Sequence, residues 1–120
     1  MKKYTLVMGA SDHPERYSYQ AILKLRKYGH PVAGIGRRNG ITGDVSFGTE
    51  KEPFQGIDTV TLYLNPLHQQ PYYEYLLALR PKRIIFNPGT ENPEFEEMAQ
   101  KQGIQTIEAC TLVMLGTGQY

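Results

Sequence analysis

The feature that most restricts the fold of this chain is a short apolar run that stops at small residues and precedes a helical pattern. The run covers residues 6–8 and is typical of a strand buried on both faces of a sheet. Gly9-Ala10-Ser11 follows, and residues this small allow a sharp turn and a close approach of a ligand to the backbone. Apolar residues then recur at helical spacing between positions 18 and 28. Strand, tight turn and helix together present the free N–H groups that suit a phosphate.

Two interpretations of this turn stay open on the local sequence. It is either a phosphate-binding loop or an ordinary connection between a strand and a helix. The glycine-rich dinucleotide motif is incomplete, because Gly9 occupies its first glycine while Ser11 and Pro14 stand where the others belong.

Strand and helix patterns alternate along the rest of the chain. Strands are predicted over residues 4–9, 31–36, 58–64, 82–86 and 104–109, and helices over 18–28, 70–79, 93–102 and 110–115. Alternation of this kind predicts parallel strands joined by crossover helices. We therefore expect a Rossmann-like, doubly wound α/β domain with a mostly parallel five-stranded sheet and helices on both faces.

Other segments give weaker patterns. Glycine and proline interrupt residues 41–57, which predicts a long connection with little regular structure, although 44–47 fits a short edge strand. Ser18 fits the N-cap of the first helix and Gly29 its C-terminal stop. His30, which follows Gly29, is predicted to be solvated, and residues 116–120 are predicted to be loose and to lack a fixed conformation.

Length and composition exclude several classes of protein. The 120 residues fit one domain, spanning 1–120, and the net charge of +1 is too small to indicate nucleic acid or an anionic membrane as a partner. No apolar run reaches the ~18 residues that a membrane span needs, and the first run is too short for a signal peptide, which favours a cytoplasmic protein. Cys110 is the single cysteine, so an internal disulfide framework is excluded.

Four loops should meet at one edge of the predicted sheet. In doubly wound sheets, ligands bind outside the carboxyl ends of the strands, where the strand order reverses. Those ends carry Gly9-Ala10-Ser11, Gly36-Arg37-Arg38, Asn65-Pro66 and Asn87-Pro88-Gly89. An acidic residue that would accept from an NAD ribose is replaced here by Arg37 and Arg38. Two guanidinium groups suit the extra ribose phosphate of NADP or CoA, unless the pair is simply a solvated basic turn.

Few side chains indicate catalysis. His13 fits either a donor to a ligand or a surface histidine, and His68 follows the third strand without a partner visible in the sequence. Scattered histidines without carboxylates at ligand spacing predict no metal site. Cys110 is either a small buried residue or a neighbour of a ligand thiol. No nucleophile–base spacing stands out.

The order and spacing of short motifs along nearly the whole chain resemble those of a known family. The motifs are Gly9-Ala10-Ser11, Arg16-Tyr17-Ser18, Gly29 before Pro31-Val32, Gly43, Asp58-Thr59-Val60, Asn87-Pro88-Gly89, Asn92, Gly103-Ile104 and Glu108-Ala109-Cys110-Thr111. They are similar to those of the small stand-alone CoA-binding proteins, the YccU-like family, related to the nucleotide-binding domain of the succinyl-CoA synthetase α subunit. The chain departs from the family at Gly34-Ile35-Gly36, often Val-Asn-Pro, and at Phe86-Asn87-Pro88, often Trp-Leu-Gln.

The resemblance implies CoA or an acyl-CoA as the ligand and a set of contacts for it. The pyrophosphate would be held by the loop of Gly9, Ala10, Ser11, Asp12 and His13, with Arg16 beside it. The adenosine and its 3′-phosphate would lie along Ile35, Gly36, Arg37 and Arg38, and the adenine would be bordered by Asn65 and Pro66. The pantetheine would meet Asn87, Pro88 and Gly89. The expected function is CoA binding without catalysis. The alternatives are a small NADP-binding oxidoreductase or fragment, and a protein-interaction module that has lost its ligand.

Overall fold

A computed structural model describes residues 2–120 and contains seven strands and five α-helices. The strands are β1 Thr5–Ala10, β2 Val32–Gly36, β3 Gly40–Thr42, β4 Val45–Phe47, β5 Thr59–Leu62, β6 Arg83–Phe86 and β7 Gln105–Glu108. The helices are α1 Tyr17–Lys27, α2 Pro66–Gln69, α3 Tyr73–Ala78, α4 Pro93–Lys101 and α5 Thr111–Gly116. No helix among the described residues is both long enough and apolar enough to cross a membrane.

The main sheet confirms the predicted α/β class. Its five strands are all parallel and lie in the order β2-β1-β5-β6-β7. The chain moves from β1 to β2 on one side and then crosses to β5 on the other side of β1. The strand order therefore reverses between β1 and β5, and a ligand crevice is expected outside the carboxyl ends of these two strands.

Each face of the sheet is covered by helices and has its own apolar core. One cluster joins β1, β5 and β6 to α3 and α4 and includes Leu6, Leu76, Phe86 and Phe95. The other cluster joins the opposite face to α1, α5 and β4 and includes Val7, Ile22, Leu25, Phe47 and Leu115. Consecutive residues of β1 alternate between the two clusters, which explains why its apolar run has no polar residue in it.

The connection over residues 41–57 is more ordered than the sequence predicted. β3 and β4 form an antiparallel hairpin, and the Gly36 N–H donates to the Gly48 carbonyl at 2.9 Å. Phe47 packs into space that three glycines leave open: an added Cβ would lie 3.1 Å from its side chain at Gly34, 3.2 Å at Gly36 and 2.7 Å at Gly40. The small residues at the end of β2 are therefore required by the hairpin that covers them.

Two helix boundaries also differ from the prediction. Arg16 is the N-cap of α1, and Ser18 is buried inside the helix, so the predicted serine cap is wrong. The predicted helix over 70–79 instead begins as α2, where the Asn65 side chain accepts a hydrogen bond from the His68 N–H at 2.9 Å. A short 3-10 turn then joins α2 to α3. The prediction for Gly29 is confirmed: it directly follows Tyr28, the C-cap of α1, and its φ of +82° turns the chain away from the helix.

The C-terminal residue is not loose, because Tyr120 packs beneath the amino ends of the strands. Its hydroxyl lies 2.5 Å from Thr5 Oγ1, and the Arg83 guanidinium lies 4.4 Å from its ring centre. His30, predicted to be solvated, is instead buried and meets the same ring edge-on with centroids 4.9 Å apart. The far end of the chain thus covers a histidine that the local sequence leaves exposed.

Burial of His30 makes the stability of the fold dependent on pH. Its Nδ1 accepts a hydrogen bond from the Lys3 N–H at 3.0 Å, which requires the neutral ring. Burial, together with the charges of Lys2, Lys3 and Arg83, lowers the pKa of His30 below its ordinary value of 6.5. The unfolded chain therefore binds the proton more readily, and the stabilisation present above pH 6.5 is lost as the pH falls through the lowered pKa.

We expect urea unfolding of the protein to show a midpoint that falls as the pH drops below 6.5, with a smaller fall in His30→Gln. The exposed His68 supplies the control, since His68→Gln should keep the slope of the wild-type protein. Identical slopes for His30→Gln and wild type would show that other groups cause the dependence.

Candidate functional site

Gly9 forms the bend at the carboxyl end of β1, where the strand order reverses. The register between β1 and β2 shifts at this residue, and its φ of +89° is rarely adopted by other amino acids. A Cβ here would lie 3.0 Å from the Tyr63 carbonyl oxygen, at the end of β5. Gly9 thus lets the backbones of the two switch-point strands come together and turns the following loop outward.

The loop after β1 is held by hydrogen bonds from both of its sides. The Ser11 hydroxyl accepts from the His13 N–H at 3.0 Å, and the Ser11 carbonyl accepts from Thr42 Oγ1 of the hairpin at 2.8 Å. The Arg16 N–H donates to the His13 carbonyl at 3.0 Å and closes the turn into α1. Sequence reasoning missed Thr42, because its contact with the loop depends on how the hairpin folds.

The amino end of α1 is open to an anion. Arg16 caps the helix without a side-chain hydrogen bond, and the first turn contains no acidic residue. The Gln20 N–H donates to the Arg16 carbonyl at 3.2 Å, so the earlier N–H groups of the turn have no backbone partner in the helix. These groups and the positive end of the helix dipole favour a negatively charged ligand.

The loops that follow β1 and β2 meet, as predicted. The Arg38 guanidinium hydrogen-bonds the Nε2 of His13, and both side chains are exposed. Asp12 and Glu15 flank the same imidazole, with oxygens 3.9 Å and 3.6 Å from its nitrogens. Arg37 is exposed and makes no ion pair with the described residues. The edge is therefore lined by guanidinium groups, with two carboxylates close by that any bound phosphate must avoid.

Some of the predicted contact residues are buried, so their side chains belong to the structure. Ile35 is only 2% exposed and packs in the core next to β1. Gly36 is also buried, and a Cβ there would lie 2.4 Å from the Ala10 carbonyl oxygen. Ala10 itself is 6% exposed. These three residues hold β1 and β2 close together, and their backbones support the loops on either side.

Asn87 connects three elements at the carboxyl end of β6. Its amide nitrogen donates to Thr61 Oγ1 at 2.7 Å and to the Leu62 carbonyl at 2.8 Å, and its oxygen accepts from the Thr111 N–H at 2.8 Å. The side chain is 2% exposed. Both donors of this amide are used, so its main role in this structure is to join β5, β6 and α5.

The neighbours of Asn87 and Asn65 differ in their freedom to contact a ligand. Pro88 and Gly89 are exposed, and nothing lies within 4 Å of a Cβ added to Gly89. The Gly89 N–H donates to Glu91 Oε1 at 2.9 Å. Asn65 and Pro66 are exposed at the start of α2, although the Asn65 oxygen is engaged in capping that helix.

A buried amide network that sequence reasoning missed lies behind these loops. The Gln69 side chain is fully buried, and its nitrogen donates to the carbonyls of Leu64 and Thr90, each at 2.8 Å. Its oxygen accepts from the Asn92 side chain at 2.9 Å. Gln69 does not fit the apolar spacing of any helix predicted from the sequence. Only the tertiary structure therefore shows that its side chain holds the loop before α4 in place.

No hydrogen bond or ion pair among the described residues joins His13, His68 and Cys110 to one another. His68 is exposed on α2, and Cys110 is half-buried as the residue before α5. The Tyr63 hydroxyl is buried without a hydrogen-bond partner, and burial, followed by the proximity of Cys110, raises the pKa of its phenol. The described residues contain no group of three or more His, Cys, Asp or Glu side chains able to hold a metal ion.

Comparison with known proteins identifies the family and the fold of the chain. Residues 3–116 match the family model of the CoA binding domain. A crystal structure of an uncharacterized protein is 44% identical, covers 100% of this chain and 99% of its own, and superposes with a TM-score of 0.97. No curated protein matches the sequence of this chain.

Two more distant solved structures show the same fold. One is the cell-free ID.343 protein from Thermus thermophilus, which is 23% identical with a TM-score of 0.83 over 99% of this chain and 91% of that one. The other is a hypothetical protein from Pyrococcus horikoshii OT3, 23% identical with a TM-score of 0.80 over 97% and 82%. The family match extends over nearly all of the sequence and includes every loop at the carboxyl edge. This chain therefore belongs to the CoA binding domain family.

Proposed function

We propose that this chain binds CoA or an acyl-CoA at the carboxyl edge of its sheet and that it catalyses no reaction on the ligand. The observation that carries the proposal is the meeting of three features at one place. These are the bend at Gly9, the uncapped amino end of α1, and Arg38 beside His13. Each favours an anionic ligand, and membership of the family identifies the class of ligand.

The residues at this edge fit the parts of CoA in order. The N–H groups after Gly9 and at the start of α1 would hold the pyrophosphate. Arg37 and Arg38, after β2, would face the ribose 3′-phosphate. The open backbone at Gly89, beyond β6, leaves room for the pantetheine. Asp12 and Glu15 favour a ligand whose phosphates reach the backbone amides rather than the imidazole of His13.

The absence of catalysis is supported by how the polar groups of the loops are used. Ser11 Oγ accepts from the backbone N–H of His13 rather than facing its imidazole. The side-chain amide of Asn87 is fully engaged in hydrogen bonds to β5 and α5. Neither arrangement gives the activated nucleophile that acyl transfer requires.

Calorimetric titration with CoA and with acetyl-CoA tests this proposal. We expect saturable binding of one molecule per chain, and no release of thiol from acetyl-CoA and no oxidation of NADPH at micromolar protein. Preference for NADP over CoA would contradict the ligand assignment. Thiol release that disappears in Cys110→Ser would contradict the non-catalytic role and make Cys110 a nucleophile.

A further inference from the structure

One exposed aromatic residue lies at the same edge of the sheet and belongs to neither apolar core. Tyr17 is the first residue of α1 and is 69% exposed, which makes it one of the two most exposed large apolar side chains among the described residues. Its hydroxyl makes no hydrogen bond with the described residues. Because Tyr17 begins the helix that follows the loop after β1, its exposed ring is within reach of a ligand that binds this loop.

The two sides of α1 face different parts of the sheet. Leu23 and Arg26 face the hairpin beside β2: the Leu23 side chain lies near Gly43, and Arg26 forms an ion pair with Asp44 at 2.9 Å. Tyr17 lies on another side, together with Lys24 seven residues later. The Lys24 ammonium donates to the Leu112 carbonyl of α5 at 3.0 Å. The side of α1 that carries Tyr17 therefore faces α5.

The position of α5 shows that the side of α1 carrying Tyr17 faces the β5 and β6 half of the sheet. Thr111, the first residue of α5, hydrogen-bonds Thr61 of β5 at 2.8 Å and Asn87, which directly follows β6, at 2.8 Å. Tyr17 consequently lies at the carboxyl edge on the β5 side of β1, whereas Arg37 and Arg38 lie on the β2 side.

We propose that Tyr17 covers the pantetheine arm of the bound ligand. This inference rests on the proposed function. If the arginines after β2 hold the ribose phosphate and the loop after β1 holds the pyrophosphate, the arm must leave the pyrophosphate in the opposite direction, toward β5 and β6. The first part of that arm carries two methyl groups, and an exposed tyrosine ring beside the pyrophosphate loop supplies an apolar surface for them.

The test compares two ligands that differ in the arm. CoA contains pantetheine, whereas adenosine 3′,5′-bisphosphate retains the adenosine and the 3′-phosphate and lacks the arm. We expect Tyr17→Ser to weaken CoA by roughly five- to tenfold, the effect of losing a partly buried apolar contact. The affinity for the bisphosphate should stay within about twofold of wild type by the same reasoning. Tyr17→Phe should bind CoA like wild type, since the ring makes the contact.

Tyr28 provides a matched control. It lies on the same side of α1, at the opposite end, and is 38% exposed. Tyr28→Ser should leave both affinities unchanged. If wild type binds CoA and Tyr17→Ser binds it equally well, Tyr17 has no part in the site. If Tyr17→Ser weakens both ligands equally, the ring contacts the nucleotide and the assignment to pantetheine is wrong. If the wild-type protein binds no CoA at all, the proposed function itself is wrong. That outcome is distinct from any result that depends on the Tyr17 variants.

Discussion

CoA is expected to bind this protein more tightly than dephospho-CoA, which lacks only the 3′-phosphate. Arg37 and Arg38 are exposed side by side after β2, and Arg38 already reaches the loop after β1 through His13. A hydrogen bond to a charged group contributes about 1.5–3 kcal/mol. That corresponds to roughly a ten- to hundredfold difference between the two dissociation constants.

Replacing both arginines by alanine should bring this ratio close to one, mainly by weakening CoA. Calorimetric titration of both ligands at low salt measures it, and the ratio should shrink at high salt because exposed charges are screened. The exposed Arg80, after α3, supplies a control substitution away from the carboxyl edge. Equal affinities of wild type for the two ligands would remove the role assigned to Arg37 and Arg38.

The second large effect concerns stability. Asn87→Ala should lower the free energy of unfolding by about 3–5 kcal/mol, because it leaves the Leu62 carbonyl and the Thr111 N–H buried without partners. Urea or thermal unfolding followed by circular dichroism measures the loss. The substitution also removes the side-chain link from Asn87 to β5 and α5 and leaves only the Thr61–Thr111 hydroxyl bond between β5 and α5, so it should weaken the fold before any effect on the ligand is considered.

Asn65→Ala is the matched control for Asn87→Ala. It removes the same side chain at the same edge, but Asn65 is exposed and makes a single capping bond to His68. Loss of such a cap costs about 1 kcal/mol. Similar losses for the two variants would show that the three bonds of Asn87 contribute little, and that this asparagine is free to act on a ligand.

The sequence predicted the sheet well because strands and crossover helices leave strong local patterns. The apolar run that precedes Gly9 and the stretch that becomes β6 are typical of strands buried on both faces, and both are strands in the structure. The short edge strand offered for residues 44–47 is present as β4, but its pairing with β3 was not predicted. Each strand has only three residues, and Phe47 is recognised as a core residue only through its packing on glycines outside β4. His30 was misjudged for a similar reason, since Tyr120, ninety positions away, covers it.

The candidate site was also predicted only in part: the sequence predicts where its loops lie but not which of its side chains are free. That the loops at Gly9, Arg38, Asn65 and Gly89 share one edge follows from the parallel topology, which the sequence shows. Which side chains remain free there does not follow. The amide of Asn87 and the side chain of Ile35 are committed to neighbours that only the folded chain brings close.

The packing of Phe47 against Gly34, Gly36 and Gly40 couples the end of β2 energetically to the hairpin that covers it. A larger residue at the end of β2 would collide with the phenylalanine, and a smaller residue at position 47 would leave a void above the glycines. The glycines and the phenylalanine therefore form one coupled set, and a substitution on one side should lower stability unless a matching substitution is made on the other.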